Sequence, residues 1–349
     1  MSSLSNTGYG IVGKNIIKEL VKQNKPVDIF PYGGIQADSQ EEFDLLFNAI
    51  PTTTKRGFDH NAPCINIWHQ HAIGTYVGRG LKVGMPYFEL DTFNDLEKSH
   101  LEVPDVIATS SQWASDVIQA NNISTETTVI SPGVNTSIFS PGDNDNLRDN
   151  PEQYIFLNVG KWETRKGHDI LGKCFNKAFT KEDNVKLVLV PHNPFLSQEE
   201  AQNWSRLYTG KVDILPPVET HAEIAGIMQG ADCGVFPSRG EGWNLEALEM
   251  MACGKSVIAT HYSAHTEFCN DRNSSLIAIE ETEPAYDGKW FFGDGNWASF
   301  DYDQEEQLIS HMRHMFNDRP SNQAGVETAK QFSWASTVEK ICELCSQVS

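Results

Sequence analysis

Glu241 and Glu249 lie eight positions apart in the stretch F-P-S-R-G-E-G-W-N-L-E-A-L-E-M-M-A-C-G, residues 236–254. Glu241 lies in a glycine-flanked turn after a buried strand pattern, and Glu249 lies in the helix pattern that follows. Ligands of open parallel sheets bind at the carboxyl ends of the strands, so the turn predicts Glu241 at a binding cleft. The amides of residues 243–245 begin the helix, and a helix start favours anions such as a diphosphate. We expect Glu249 to accept hydrogen bonds from neutral hydroxyls such as those of a ribose, and we interpret Glu246 as a solvated carboxylate.

A second candidate is the glycine-rich stretch N-T-G-Y-G-I-V-G near the start of the chain. Gly8, Gly10 and Gly13 spell G-x-G-x-x-G ahead of a helix pattern, a spacing that lets the backbone approach a phosphate. A nicotinamide dinucleotide site also needs a preceding hydrophobic strand and an acidic residue about 20 positions later. Asp28 meets the second condition, but the upstream M-S-S-L-S-N-T contains little of a strand pattern. A phosphate site is predicted, and the dinucleotide interpretation stays open at this point.

Two further groups of residues have spacings that occur in metal sites. Two aspartate pairs are spaced for a metal ion, Asp143 with Asp145 and Asp301 with Asp303. Both pairs lie in polar segments, so we interpret them as solvated charge and predict no metal site. Cys342 and Cys345 form C-x-x-C in a helix pattern without a second ligand pair nearby, which disfavours a zinc or redox role.

The composition bounds the class of protein. The chain has 349 residues, 39% of them hydrophobic, and a formal net charge of -20. The length allows two domains, and the excess of acid disfavours nucleic acid or anionic lipid as a partner. No apolar run approaches the roughly 18 residues that cross a bilayer, and no signal peptide is visible. Together with seven scattered cysteines, typical of reduced thiols, these features predict a cytoplasmic protein.

Strand and helix patterns alternate along the chain, which is typical of doubly wound parallel sheets. A helix is predicted from Ile11 to Val21, with strands at residues 25–30, 64–68 and 106–109. A second alternation begins at Tyr154. Between the two, residues 140–151 are rich in turn formers and charge, as expected of a linker. The sequence predicts two α/β domains, residues 1–140 and 151–330, and a closing helix at residues 331–349.

The stretch around the two glutamates resembles the retaining glycosyltransferases of family 4, in which two Rossmann-like domains face a cleft in the GT-B architecture. Their pattern is close to P-S-x-x-E-G-F-G-L-P-x-L-E-A-M-A-C-G, and Glu241 and Glu249 match its two glutamates. Trp243, Asn244 and Glu246 replace the family's Phe, Gly and Pro. Because Asn tolerates left-handed backbone, we expect the turn to be preserved.

The resemblance extends to the segment N-V-G-K-W-E-T-R-K-G, residues 158–167. Lys161 and Lys166 match the two basic positions that hold the donor diphosphate. Lysine at the first position keeps the charge but loses the bidentate fork of arginine. Base contacts are expected from backbone near Val218. The resemblance also implies that the donor is bound by Gly160, Gly242, Trp243, Asn244 and Leu245.

The resemblance implies that the first domain, residues 1–140, binds the acceptor and that the second, residues 151–330, binds the nucleotide-sugar donor. In the first domain, it implies that the glycine loop with Gly10 contacts the donor phosphate or the acceptor. It also implies that a histidine after a later strand contacts the donor sugar. I-N-I-W-H-Q-H offers two candidates; the family spacing favours His71, while His69, or a structural role for both, stays open. T-V-I-S-P-G-V-N and F-S-W-A-S-T-V-E-K-I resemble the segment before the linker and the helix that returns to the first domain. The first strand departs from the family: either it has very few residues, or the glycine loop is poorly anchored.

The resemblance implies a hexosyltransferase that moves a sugar from a nucleoside-diphosphate sugar to an acceptor hydroxyl with retention of configuration. The lysines and helix amides would stabilise the leaving diphosphate without a metal or other cofactor, and Glu241 would bind donor-sugar hydroxyls. A soluble glycan or a small molecule is the expected acceptor. The alternatives are a GT-B sugar-nucleotide epimerase or phosphorylase, and a catalytically silent nucleotide-sugar-binding protein. The presence of both glutamates and both lysines argues against the silent protein.

Overall fold

The chain forms two compact units, seen in a computed structural model that describes residues 1–51 and 57–347. One unit comprises residues 1–133 with the C-terminal segment from Phe332, and the other comprises residues 134–331. Each contains a six-stranded sheet whose neighbouring strands run parallel. The predicted pair of doubly wound domains is therefore confirmed.

The first unit alternates strands and helices. Its strands are β1 (Ser2–Leu4), β2 (Pro31–Ile35), β3 (Cys64–Trp68), β4 (Lys82–Pro86), β5 (Val106–Thr109) and β6 (Glu126–Val129). Its helices include α1 (Gly8–Lys22), α2 (Gln40–Asn48), α3 (Asp95–Leu101) and α4 (Gln112–Ala120), and a 3₁₀ turn spans Gln70–Ala72. The sheet order is β2-β1-β3-β4-β5-β6, so the loops that follow β1 and β3 leave the same edge side by side.

The first strand is only three residues long, which agrees with the first of the two alternatives, a strand of very few residues. All three residues are buried, and the strand is fixed on both sides because it pairs with β2 and β3. The strand predicted at residues 25–30 is wrong: β2 begins at Pro31, which pairs with Ser2. Ile29 is buried, but its amide donates to the Ala49 carbonyl 2.9 Å away and not to a sheet neighbour.

The second unit repeats the alternation and adds a hairpin. Its parallel strands are β7 (Tyr154–Val159), β8 (Val185–Val190), β9 (Val212–Ile214), β10 (Cys233–Phe236), β11 (Ser256–His261) and β12 (Ser275–Ala278). The hairpin strands are β13 (Thr282–Tyr286) and β14 (Phe292–Ala298). Its helices include α5 (His168–Ala178), α6 (Gln198–Ser205), α7 (His221–Gly230), α8 (Leu245–Ala252), α9 (His265–Phe268), α10 (Tyr302–Asp318) and α11 (Gln323–Gln331).

In this unit the sheet order is β12-β11-β10-β7-β8-β9. β7 and β10 are neighbours near the middle, and both are buried along their whole length. Their apolar residues form the core together with α5 and α10. The loops that follow β7 and β10 therefore leave the sheet next to each other, at the carboxyl ends of the strands, where ligands of open parallel sheets bind.

Residues 140–151, predicted as a linker, belong to the second unit. Arg148 forms a two-point hydrogen bond with Asp232, at 2.7 and 2.9 Å. Asp149 pairs with Lys186 at 3.0 Å. Turn formers and charges alone do not distinguish a linker from a loop that is held by ion pairs, and here the partners lie far away in sequence.

The last helix, α12 (Trp334–Gln347), packs against α1 of the first unit. Thr337 Oγ1 donates to the Ser131 carbonyl at 2.8 Å, and Gly133 lies so close to the Trp334 backbone that a Cβ would be 2.2 Å from its nitrogen. The predicted return of the C-terminal helix to the first domain is thus observed. None of the helices in the described part of the chain combines the length and apolar character that a bilayer crossing requires.

Candidate functional site

The turn after β10 places Glu241 in a cluster of buried charge. The Glu241 side chain is only 4% exposed, and both of its oxygens are engaged. Oε1 accepts from Ser238 Oγ at 2.6 Å and pairs with Lys166 Nζ at 2.8 Å, while Oε2 accepts from the Arg165 guanidinium at 3.0 Å. The backbone amide of Glu241 donates to Ser263 Oγ at 2.8 Å. The loops after β7, β10 and β11 thus meet at this carboxylate.

The charges in this cluster fix the protonation of Glu241. Burial raises the pKa of the carboxyl, but the charges of Lys166 and Arg165 outweigh burial and lower it to about 2. For Lys166, burial lowers the pKa, and the charges of Glu241 and Glu246 outweigh this and raise it. Both side chains are therefore ionised at neutral pH. Glu241 can accept hydrogen bonds there, but it cannot donate a proton as a general acid.

The helix start beside Glu241 depends on Asn244. This residue has a φ of 75°, in the left-handed region, and its side-chain oxygen accepts from the Ala247 amide at 3.2 Å. Its Nδ2 donates to His265 Nε2 at 2.8 Å, so the ring proton is on Nδ1, which donates to the Thr260 carbonyl at 3.0 Å. The expectation that Asn preserves the turn agrees with this geometry, and His265 holds the side chain in place.

The other turn residues are buried as well. Gly242, Trp243 and Leu245 are buried, and the Trp243 ring lies 5.0 Å from the Phe268 ring. With its ring in the protein interior, Trp243 can offer a ligand its backbone. The backbone of residues 243–245 begins α8, as the sequence predicts.

Glu249 lies on α8, and the side chain is 7% exposed. Within the described residues, its carboxylate has no hydrogen-bond or ion-pair partner from another side chain or from the backbone. Burial, followed by the charge of Glu246, raises its pKa well above the usual range. A buried carboxyl group without a partner is costly, because its desolvation is not compensated. The structure thus leaves the Glu249 carboxyl group uncompensated by the described residues.

The loop after β7 carries the two predicted phosphate ligands in different surroundings. Lys166 pairs with Glu241, whereas the Lys161 ammonium lies over the Phe195 ring, 5.3 Å from its centre. Gly160 is buried, and its carbonyl accepts from His168 Nε2 at 3.0 Å. Burial lowers the pKa of His168 to about 4, so this ring is neutral at pH 7. The structure therefore brings Lys166 to Glu241 and places Lys161 over Phe195.

Sequence reasoning missed the side chains that support the cluster. Arg165 and Arg239 are 7% and 6% exposed. Arg239 binds Asp169 through two hydrogen bonds, at 2.8 and 2.9 Å, and donates to the Thr164 carbonyl at 2.7 Å. The sequence did contain a signal for these two arginines. Arg165 directly precedes Lys166, and Arg239 lies two residues before Glu241. Ser263 and His265, in Y-S-A-H-T-E-F, gave no signal. Their partners Glu241 and Asn244 precede them in the chain by 22 and 21 residues.

In the first unit, the glycine loop meets the histidines that follow β3. The Tyr9 hydroxyl donates to the Tyr87 carbonyl at 2.6 Å and lies 3.2 Å from His69 Nδ1. The rings of His69 and His71 are stacked with centres 5.2 Å apart, and both side chains are exposed. Tyr9 therefore links the glycine loop with His69, and the ring of His71 stacks on that of His69.

Two of the three glycines are explained by close packing. A Cβ on Gly10 would lie 2.1 Å from the Ser5 carbonyl oxygen, and one on Gly13 would lie 2.1 Å from Ser2 Oγ. Nothing lies within 4 Å of the corresponding position at Gly8. Asp28 precedes β2 and so lies at the opposite end from the ligand edge of the sheet, which counts against the dinucleotide interpretation.

The remaining candidates lie apart from the Glu241 cluster. Val218 is half-buried in the loop between β9 and α7. Asp301 caps α10 by accepting from the Asp303 amide at 2.9 Å, and Asp145 pairs with Arg148 at 3.3 Å. Asp143 is fully exposed in the side chain and lies 3.6 Å from Lys255. Cys342 and Cys345 are free thiols. In the part of the chain that the structure describes, no group of three or more His, Cys, Asp or Glu is placed to hold a metal ion.

Part of the second unit matches a known protein family. Residues 153–286 match the family described as Glycosyl transferases group 1. A D-inositol 3-phosphate glycosyltransferase from Segniliparus rotundus is 26% identical over 218 residues, 60% of this chain and 44% of that protein. The chain thus spans less than half of that relative. The match confirms the resemblance to glycosyltransferases for residues 153–286, a span within which Lys161, Lys166, Glu241 and Glu249 lie.

Solved structures show the same fold over nearly the whole chain. Sucrose-phosphate synthase from Thermosynechococcus elongatus superposes with a TM-score of 0.70 at 17% identity, covering 99% of this chain and 95% of that one. HepE from Anabaena, in complex with UDP and glucose, gives 0.60 at 16% identity, covering 99% and 84%. At this identity the likeness concerns the fold alone. The predicted GT-B fold is confirmed.

Proposed function

We propose that this chain, which carries a group 1 glycosyltransferase domain at residues 153–286, moves a sugar from a nucleoside-diphosphate sugar to an acceptor hydroxyl. The observation that carries the proposal is the buried cluster of Glu241, Lys166 and Arg165 beside the start of α8. It combines an ionised carboxylate, fixed cations and helix amides at the ligand edge of the matched domain. The Segniliparus relative is named as a glycosyltransferase, and the HepE structure holds UDP and glucose.

Departure of a nucleoside diphosphate concentrates negative charge on the leaving oxygen, and stabilising that charge is the main catalytic task. Lys166, Lys161 and the amides of residues 243–245 are the groups that we assign to it. Before the donor binds, the Lys166 ammonium pairs with the Glu241 carboxylate. When the ammonium turns to the phosphate, Arg165 still balances the charge of Glu241. This is why two cations contact one carboxylate.

Glu241 binds hydroxyls of the donor sugar in this account. Its low pKa excludes a proton-donating role at neutral pH. Its three partners leave one of about four lone-pair sites to accept a sugar hydroxyl, and Lys166 frees a second when it turns to the phosphate. A departing phosphate oxygen then serves as the base for the acceptor, on the same face of the sugar, which gives retention of configuration. Glu249, which needs hydroxyl partners, binds the ribose, and backbone near Val218 contacts the base.

For the first unit, we propose that His71 contacts the donor sugar and that the loop with Gly10 contacts phosphate or acceptor. The exposed ring of His71 supports its role, and the place of the Gly10 loop after β1, at the ligand edge of the sheet, supports the role of the loop. His71→Ala should lower kcat/KM for the donor, while His69→Ala should have the smaller effect. An equal loss in both variants would favour a shared structural role through the stacked rings.

No metal or other cofactor enters this mechanism, because Lys166, Lys161 and the helix amides are assigned the charge of the leaving group. Activity is expected to survive EDTA. The acceptor is proposed to be a soluble glycan or a small molecule, because the net charge of -20 disfavours anionic lipid. Seven free thiols, most of them buried, support a cytoplasmic location.

The direct test is release of nucleoside diphosphate from UDP-, GDP- and ADP-glucose with and without a mixture of glycan and small-molecule acceptors. A transferase releases diphosphate in an acceptor-dependent way, and NMR of the product reports the retained anomer. Lys181→Ala is the matched control for Lys166→Ala, because Lys181 is exposed on the same unit. Epimerised donor without release would indicate the epimerase, release driven by inorganic phosphate would indicate the phosphorylase, and binding without turnover would indicate the silent protein.

A further inference from the structure

The β13–β14 hairpin is anchored at the turn after β10, which carries Glu241. The Ala298 amide donates to the Arg239 carbonyl at 2.8 Å, and Glu283 pairs with the Arg239 guanidinium at 3.4 Å. The same guanidinium lies over the Trp297 ring, 5.9 Å from its centre. Arg239 is two residues before Glu241, so the base of the hairpin is fixed to the turn that carries the buried cluster.

The tip of the hairpin reaches α6, which follows β8. Lys289 forms an ion pair with Glu200 there. Asp287 shapes the tip, because its carboxylate accepts the backbone amides of residues 289, 290 and 291 at 2.9, 2.7 and 2.9 Å. The hairpin therefore runs along the carboxyl edge of the sheet, from the loop after β10 to the helix after β8.

Beneath the tip lies a pocket of about 430 Å³ with aromatic walls. Its apolar lining comes from Trp162, Trp204, Trp290, Leu196 and Leu207. The Trp162 and Trp204 rings are parallel within 2°, and Trp290 on the hairpin is 44% exposed. This volume lies within the range of roughly 300–1,000 Å³ that is typical of small-molecule sites.

The charges on the wall are matched, so the pocket favours a neutral ligand. Lys289 pairs with Glu200, and Glu163 pairs with Arg165 at 2.8 Å. The Asp287 carboxylate is directed to backbone amides. Thr164 and Asn203 add groups that hydrogen-bond to hydroxyls. Flat aromatic faces beside neutral polar groups suit a sugar ring, which is apolar on its C–H face and polar at its edge.

The pocket is continuous with the predicted phosphate loop. Trp162, Glu163 and Thr164 of its wall follow Lys161 directly in the chain. Phe195 bridges the two, with its ring centre 5.3 Å from Lys161 Nζ and 6.0 Å from the centre of the Trp290 ring. A ligand in the pocket would therefore lie close to the group that receives the leaving diphosphate.

We propose that this pocket is an acceptor subsite that binds a neutral pyranose, with Trp290 as its stacking platform. The inference rests on the proposed function for the meaning of "acceptor", but not for the binding itself. The match to the group 1 family ends at residue 286, before Trp290. The subsite thus combines a loop of the matched domain with a hairpin tip outside the match.

The test uses the full chain and saturation-transfer NMR with methyl glucoside, methyl galactoside and methyl mannoside in both anomeric forms. Trp290→Ala removes the platform, and Phe292→Ala is the matched control, because Phe292 is 63% exposed on the same hairpin and does not line the pocket. At least one glycoside should bind, about tenfold more weakly in Trp290→Ala and unchanged in Phe292→Ala. Cyclohexanol should not compete.

Three results would overturn the proposal: no glycoside binding, equal binding in both variants, or displacement by cyclohexanol. Titration with UDP, GDP and ADP separates this inference from the proposed function. Diphosphate binding that is intact in Trp290→Ala, with no glycoside binding, would refute the subsite alone. Glycoside binding without any diphosphate binding would refute the transferase and leave a carbohydrate site. Loss of diphosphate binding in Trp290→Ala would assign the pocket to the nucleotide and contradict an acceptor.

Discussion

The turn after β10 and the helix α8 each bury a glutamate to nearly the same degree: Glu241 is 4% exposed and Glu249 is 7% exposed. The pKa values of the two carboxyl groups nevertheless shift in opposite directions. Glu241 contacts Lys166, Arg165 and Ser238, and its pKa falls to about 2. Glu249 lacks such partners among the described residues, and burial raises its pKa. Burial therefore does not decide the state of a carboxyl group; the partners do. Cations of the protein hold Glu241 ionised, whereas no described protein group does so for Glu249.

The largest expected effect is that of Glu241→Gln. It leaves the buried Arg165 and the partly buried Lys166 side by side without their carboxylate, and breaking a buried pair costs about 3–5 kcal/mol. Because the folded pKa of Glu241 is lowered, its contribution is fully present above the unfolded pKa of about 4.3 and disappears as the pH falls through about 2. Urea unfolding at pH 7 measures the loss. Glu327→Gln, at an exposed position, should change the free energy of unfolding by no more than about 0.5 kcal/mol; similar values for both would refute the contrast.

Glu249→Gln should act in the opposite direction on stability. Its folded pKa is raised, so the folded state loses stability as the pH rises from the unfolded pKa of about 4.3 through the folded value. Removing the charge should stabilise the protein at pH 8 by about 1–3 kcal/mol, and the gain should vanish near pH 4. Nucleotide affinity should fall, because an amide is a poorer acceptor for ribose hydroxyls. A variant that is destabilised at pH 8 would mean that the carboxylate has partners in the folded protein.

The smallest effect sharpens the comparison at Asn244, which lies between the two glutamates. Asn244→Gly and Asn244→Ala both lose the cap and the hydrogen bond to His265, but only alanine adds strain in the left-handed backbone, so Asn244→Ala should be less stable than Asn244→Gly by about 1–2 kcal/mol. Thermal unfolding of the two variants gives the difference. If alanine were tolerated as well as glycine, the left-handed backbone would carry no strain at the helix start.

The sequence predicted those elements whose apolar patterns are long and regular, such as β7, β8 and α8. The prediction misplaced β2. The position of β2 is set by its pairing with β1, and β1, with three residues, has almost no recognisable strand pattern in the sequence. The prediction also took residues 140–151 for a linker, because the Arg148–Asp232 pair joins residues that are distant in sequence. The motif located Glu241, Glu249 and Lys166. The different ionisation of the two glutamates could not be predicted, since the low pKa of Glu241 depends on Lys166, Arg165 and His265, which reach it from other loops.

We propose above all that Lys166, which pairs with Glu241 before the donor arrives, binds the diphosphate of the donor. Isothermal titration of UDP, GDP and ADP into the wild type, Lys166→Ala and Lys181→Ala tests it without any need for the acceptor. We predict that at least one diphosphate binds the wild type and Lys181→Ala alike, and binds Lys166→Ala roughly a hundredfold more weakly, about 3 kcal/mol. Equal affinity in Lys166→Ala and the wild type would contradict the account.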